Sequence, residues 1–138
     1  MDTQKFLHDT RIPVRIAAID KDGFPLICSL WFIYQDKKLI CASHASSKII
    51  RVLKTNPNCA FEISVNEVPY KGVRGKAVAH LESDSEGKVL SQLIARYVGD
   101  SQKGLSKWLL SRRKDEYAIH LEIANLSPWD FSERMQGQ

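Results

Sequence analysis

The chain has 138 residues, with 43% hydrophobic and 26% charged side chains. That is the size and make-up of one folded domain, and it excludes a wholly disordered, collagen-like or low-complexity chain. Twenty Lys and Arg against 16 Asp and Glu leave a net charge of +4, which suits an anionic ligand without demanding a nucleic acid.

Phe6 and Leu7 among polar neighbours predict a short opening helix over residues 2–10, ended by Pro13. Val14 to Ile19 is apolar and β-branched and reads as a strand, and Asp20-Lys21-Asp22-Gly23 as a turn. Leu26 to Tyr34 is nearly continuous in apolar residues, which predicts a strand buried on both faces. Gln35-Asp36-Lys37-Lys38 is a hairpin turn into a third strand, Leu39 to Ala42. Ile49, Ile50, Val52 and Leu53 follow at helical spacing, with Lys48, Arg51 and Lys54 on the wet side and Asn56-Pro57-Asn58 as the stop.

Cys59 to Val65 alternates as a fourth strand. Val73 to Glu82 is a fifth, with Gly72 and Gly75 pointing to a bulge or a close backbone approach. Asp84 and Ser85 are good N-caps for a helix carrying Val89, Leu90, Leu93, Ile94 and Tyr97, closed by Gly99. A shorter helix carries Leu105, Trp108, Leu109 and Leu110 and ends at Arg112-Arg113-Lys114. Tyr117 to Ile123 alternates as the sixth strand, and Ser127-Pro128-Trp129-Asp130-Phe131 forms an aromatic tail. Six strands with helices between them predict a mainly β fold, a six-stranded antiparallel barrel with peripheral helices, in a single domain over residues 1–138.

No apolar run reaches the ~20 residues that span a bilayer, and Met1 to Lys5 has no apolar core behind a basic stretch. Cys28, Cys41 and Cys59 are odd in number and widely spaced, as reduced thiols would be, so a cytoplasmic location is expected. Cys41-x-x-His44 has a permissible metal spacing, but the other thiols stand singly on separate strands, and no metal is expected. No Gly-rich dinucleotide or P-loop fingerprint is present, and no nucleophile elbow. The basic run at 112–114 matches a dipole-complemented helix end better than a nucleic-acid patch.

The segment Cys41 to Asn58 is the most informative. A strand ends, small hydroxyl residues follow, and a helix opens at Lys48. Unpaired N–H groups at a helix start, the hydroxyls of Ser46 and Ser47 and the Lys48 ammonium together suit a phosphate. Taken alone, the segment reads more simply as plain N-capping by Ser46 or Ser47 beside a solvated lysine.

Four stretches in order, Val14 to Pro25, Leu30-Trp31-Phe32, Ser46 to Pro57 and Val73 to Ala77, make residues 11–131 resemble the pyridoxamine 5′-phosphate oxidase-like split barrels. The resemblance implies a six-stranded split barrel that forms a homodimer and binds FMN between its two subunits, with F420 or haem as the alternatives. It implies that Ser46, Ser47 and Lys48 hold the phosphate, with Ser47 in place of the family's arginine and Arg51 or Arg74 as its substitute. It places Ser29, Leu30 and Trp31 along the flavin ring, with Ala42 and Ser43 beside them. Trp129 is expected near the partner's flavin or in the subunit interface, with a lid over its own barrel as the other reading. Leu26 and Trp31 stand where the true oxidases carry Arg and Lys, and Tyr70 where they carry Gln, so that particular activity is not expected. The implied class is a flavin-dependent oxidoreductase acting on a small organic substrate, or else a flavin-binding module without turnover. The flavin would supply the redox chemistry, so no catalytic side chain is named.

Overall fold

The computed structural model describes residues 1–136. Its elements are α1 (Thr3–Asp9), β1 (Val14–Ile19), β2 (Pro25–Leu30), β3 (Ile33–Gln35), β4 (Lys38–His44), α2 (Lys48–Thr55), β5 (Asn58–Ser64), β6 (Lys71–Ser83), α3 (Lys88–Tyr97), α4 (Lys103–Ser111), a 3-10 turn (Arg113–Asp115) and β7 (Glu116–Asp130). The strands form one antiparallel sheet in the order β2-β1-β5-β6-β7-β4-β3.

The two edge strands are neighbours in the chain, and this dictates the shape. A flat sheet of seven strands would set its edges roughly 29 Å apart, six spacings of about 4.8 Å. Leu30 and Ile33 are three residues apart and can span at most about 10 Å. The sheet is therefore curled until its edges meet, with a seam between β2 and β3 where the hydrogen-bond ladder is not closed.

Seven strands stand where six were expected, and the difference lies at that seam. The predicted strand 26–34 changes partner partway. Its first half pairs with β1 (Ser29 opposite Arg15) and its second with β4 (Tyr34 opposite Leu39). At the switch the Phe32 N–H leaves the sheet and donates to the Tyr97 hydroxyl at 3.3 Å. Nor is the first half buried on both faces. As an edge strand it leaves Ile27 68% exposed. The predicted tail also belongs to the sheet, since β7 runs on to Asp130 and pairs with β6 as far as Lys71.

The curl encloses the core. Val14, Ile16, Phe32, Leu39, Ile63, Val73, Ile119 and Leu121 are fully buried within it. The sheet's alternation points them inward, and each contributes roughly 1.5–3 kcal/mol relative to exposure. The end of the barrel is plugged by α2 through Ile49, Ile50, Val52 and Leu53. Arg96 of α3 ties down α1 by donating to the carbonyls of Leu7, His8 and Thr10. No helix among the described residues is long and apolar enough to cross a membrane.

Candidate functional site

The ends of β2 and β4 and the start of β7 converge beneath α3 and α4. They enclose a cavity of about 390 Å³. Ser29, Leu30 and Trp31 line one side and Ala42, Ser43 and His44 another. Leu90 and Leu93 of α3 and Leu105 and Leu109 of α4 complete an apolar wall, and Arg112 and Glu116 supply the charged groups. Trp31 is held flat on Tyr97, with ring centroids 5.5 Å apart and planes 9° from parallel. Tyr97 is itself tied to the Ile12 carbonyl by its hydroxyl at 3.4 Å, so the aromatic wall is fixed from behind.

Five residues expected on cofactor grounds, Ser29, Leu30, Trp31, Ala42 and Ser43, thus meet in one cavity. Ser46 and Ser47 adjoin it through hydrogen bonds rather than lining it. The Ser43 hydroxyl donates to the Ser47 Oγ at 2.8 Å, and Ser47 caps α2 by accepting from the Ile50 N–H at 3.4 Å. His44 Nδ1 accepts from the Ser46 N–H at 3.2 Å and lies 2.8 Å from its hydroxyl. In the neutral ring the proton is then on Nε2. The N-capping expected at residues 46–47 belongs to Ser47.

Lys48 is turned elsewhere. Its ammonium lies 3.6 Å from Asp20 in the β1–β2 turn and is 57% exposed. The Asp20 carboxyl is held below the ordinary range chiefly by the Lys21 backbone N–H; desolvation opposes this, and the charges of Lys48 and Arg51 add smaller lowering effects. Arg74 is remote from the cavity. It lines a second groove of about 520 Å³ on the outer sheet face with Arg15, Ala17, Ile27, Ala60 and Glu62. Trp129 sits on β7 opposite Gly72, its ring 4.9 Å from that of Phe131, and among the described residues its buried indole N–H finds no acceptor.

Sequence reasoning missed Glu116. It opens β7 opposite His44 in the register and is buried. Burial first and the Asp84 carboxylate second push its pKa up to about 7, with the Arg112 charge opposing them. Asp84 was expected as a helix cap. Gly87 occupies the capping position of α3, while the buried Asp84 reaches past it to accept from the N–H groups of Val89 and Leu90 at 3.1 and 3.0 Å. The thiols lie apart from this chemistry. Cys41 and Cys59 are buried in the core, and burial pushes the Cys59 pKa up to about 11.

No protein-family model and no curated protein matches the chain. Its fold does match solved structures. An F420 reductase aligns with a TM-score of 0.76 at 19% identity, over 89% of this chain and 94% of that one. HutZ, a haem storage protein of Vibrio cholerae, aligns with a TM-score of 0.68 at 22% identity, over 90% of each chain. A provisionally named pyridoxamine 5′-phosphate oxidase of Listeria innocua aligns with a TM-score of 0.68 at 12% identity, over 91% of this chain and 93% of that one. The seam between β2 and β3, the plugging helix and these alignments identify one architecture: the chain has the split-barrel fold of the pyridoxamine 5′-phosphate oxidase-like proteins.

Proposed function

We propose that the chain binds a flat redox cofactor of the flavin type, FMN first, in the cavity beneath α3 and α4, and acts as a flavin-dependent oxidoreductase on a small organic substrate. The carrying observation is the meeting of Ser29, Leu30, Trp31, Ala42 and Ser43 in one apolar cavity. The site fits such a ring. Its walls are aliphatic leucines and the Trp31 ring, its volume of about 390 Å³ admits three fused rings, and the buried Glu116 and half-buried Arg112 also line it. A bound flavin would supply hydride transfer. Leu30, Trp31, Leu90 and Leu93 are the residues that would hold it, and Leu105 and Leu109 of α4 would help exclude water.

A second reading keeps the site and changes the cofactor to F420 or haem. Lys48 favours haem, which carries no phosphate, since the ammonium expected on the phosphate is already engaged with Asp20 and Ser47 adds no charge. In both readings the active form is a homodimer with the cofactor between its subunits. The outer groove supports the pairing of two copies, because it joins exposed apolar Ile27 to the row Arg15, Glu62 and Arg74 on the open face of the sheet.

The absorption spectrum of the purified protein, followed by titration with FMN, F420 and haemin, tests the cofactor. A flavin spectrum or tight FMN binding is the expected result, and binding of haemin alone overturns the flavin reading. Oxidation of a reduced nicotinamide donor by the FMN-loaded protein then separates an enzyme from a binding module.

A further inference from the structure

Glu116 is buried to all but 8% of its surface and faces the cavity. Among the described residues nothing pairs with its carboxyl. The causes of its shifted pKa include no hydrogen bond, and the ion pairs lie elsewhere. The groups around it are few. Asp84 approaches from the turn after β6, with both oxygens given to α3. Arg112 approaches from the end of α4, its guanidinium stacked 4.7 Å over the Trp108 ring. His44 is the cross-strand neighbour on β4, its Nδ1 taken by Ser46. To the cavity α3 offers only Leu90 and Leu93. The carboxyl oxygens are not sealed off and open onto the cavity, so a ligand that fills the cavity and expels its water must supply their partner, since a polar group left dry and unpaired is costly.

We infer that Glu116 is the ring-recognition group of this cavity: its carboxyl donates a hydrogen bond to a carbonyl oxygen on the edge of a flat, uncharged heterocycle of the flavin or deazaflavin class. This rests on the cavity being the cofactor site and narrows what the site accepts. Flavins and deazaflavins carry carbonyl oxygens along one ring edge. Haem carries carboxylates at its edge, which would meet Glu116 as like charge once both groups are ionised. Burial beside Asp84 keeps the proton on Glu116 up to a pH of about 7, so the acid is a donor below that pH and a poor neighbour for a carbonyl above it.

Riboflavin and 5-deazariboflavin, neutral and without phosphate, are the probes, titrated into the full chain by fluorescence. Affinity is expected to be about tenfold higher near pH 5.5 than near pH 8.5, the worth of one hydrogen bond. Glu116→Gln keeps a donor and should flatten that pH dependence. Glu116→Leu keeps the bulk, loses the donor and should bind weakly at both pH values.

A ligand-free measurement checks that the titrating group is this one. The unfolded carboxyl ionises near its ordinary 4.5 and the folded one near 7. Wild type therefore loses stability as pH rises through that window, and the Tm of Glu116→Gln should gain on it over the same window. Riboflavin affinity that is equal at both pH values, or unchanged in Glu116→Leu, overturns the role of Glu116 and leaves the cavity reading standing. If neither probe nor FMN binds at any pH, the cavity reading itself falls, and this inference with it.

Discussion

If Lys48 is to hold a phosphate as proposed, Asp20 competes for it. The pair is exposed enough on the lysine side to be worth little as stability, so its effect would be on binding. Lys48→Ala should weaken FMN about tenfold, the loss of one charge-assisted contact, and leave riboflavin unchanged. Asp20→Asn releases the ammonium and should strengthen FMN alone. Paired titrations of the two ligands decide this, and an equal loss for both in Lys48→Ala puts the phosphate elsewhere. At this scale the sequence was only partly legible. That Ser29, Leu30, Trp31, Ala42 and Ser43 share one cavity could be anticipated because short ordered stretches carry a resemblance. Glu116 could not, because it stands 72 residues after His44, its partner in the register, in a stretch whose alternation only says strand. Arg112 was hidden by its setting, since a basic residue at a helix end already has a reason to be there.

Among the elements, β6 and β7 carry the most information about how local chemistry sets form. Their ladder slips by one residue between Lys76 and Ala77, and Ala124 is the extra residue on β7. The Asn125 side chain repairs the slip by accepting from the Lys76 N–H at 2.9 Å. Gly75 makes the approach possible, because a Cβ there would stand 2.0 Å from the Asn125 carbonyl oxygen. A bulge or close approach at this glycine was readable in advance from its place inside a strand. The continuation of β7 was not. The bulge breaks the alternation after Ile123, and Pro128 is a residue that argues against a strand, so residues 127–131 read as a tail. Gly75→Ala should therefore cost about 3 kcal/mol, the upper range of overpacking against atoms that cannot give way. Gly104→Ala in the first turn of α4, where an added Cβ meets nothing within 4 Å, should instead be neutral or add up to about 0.5 kcal/mol. Thermal or denaturant unfolding of the two variants measures both. Equal effects would mean that the β6–β7 backbones do not approach so closely.

At the scale of the whole molecule, the curled sheet leaves one face that a monomer has no use for. On the hairpin of β1 and β2, Phe24 is 73% and Ile27 68% exposed. Ile27 lies in the register row Ile27, Ala17, Ala60, Lys76 and Asn125, beside the row Ser29, Arg15, Glu62, Arg74 and Ser127. An apolar strip beside alternating charge suits a two-fold contact, because in an isologous pair the arginines of one copy can meet the glutamate of the other. Exposed aliphatic patches of this kind otherwise invite unspecific association. If this face joins two copies and the cofactor lies between them, ligand that binds only the dimer must tighten it by mass action. Sedimentation at low protein concentration should then show FMN shifting monomer to dimer. Ile27→Asp, a change at a site open to solvent in the single chain, should leave the melting temperature of the monomer nearly unchanged and lower both the association constant and the FMN affinity. A variant that remains dimeric assigns the contact to another face. A monomer that binds FMN as tightly as the wild type shows that one chain holds the cofactor by itself.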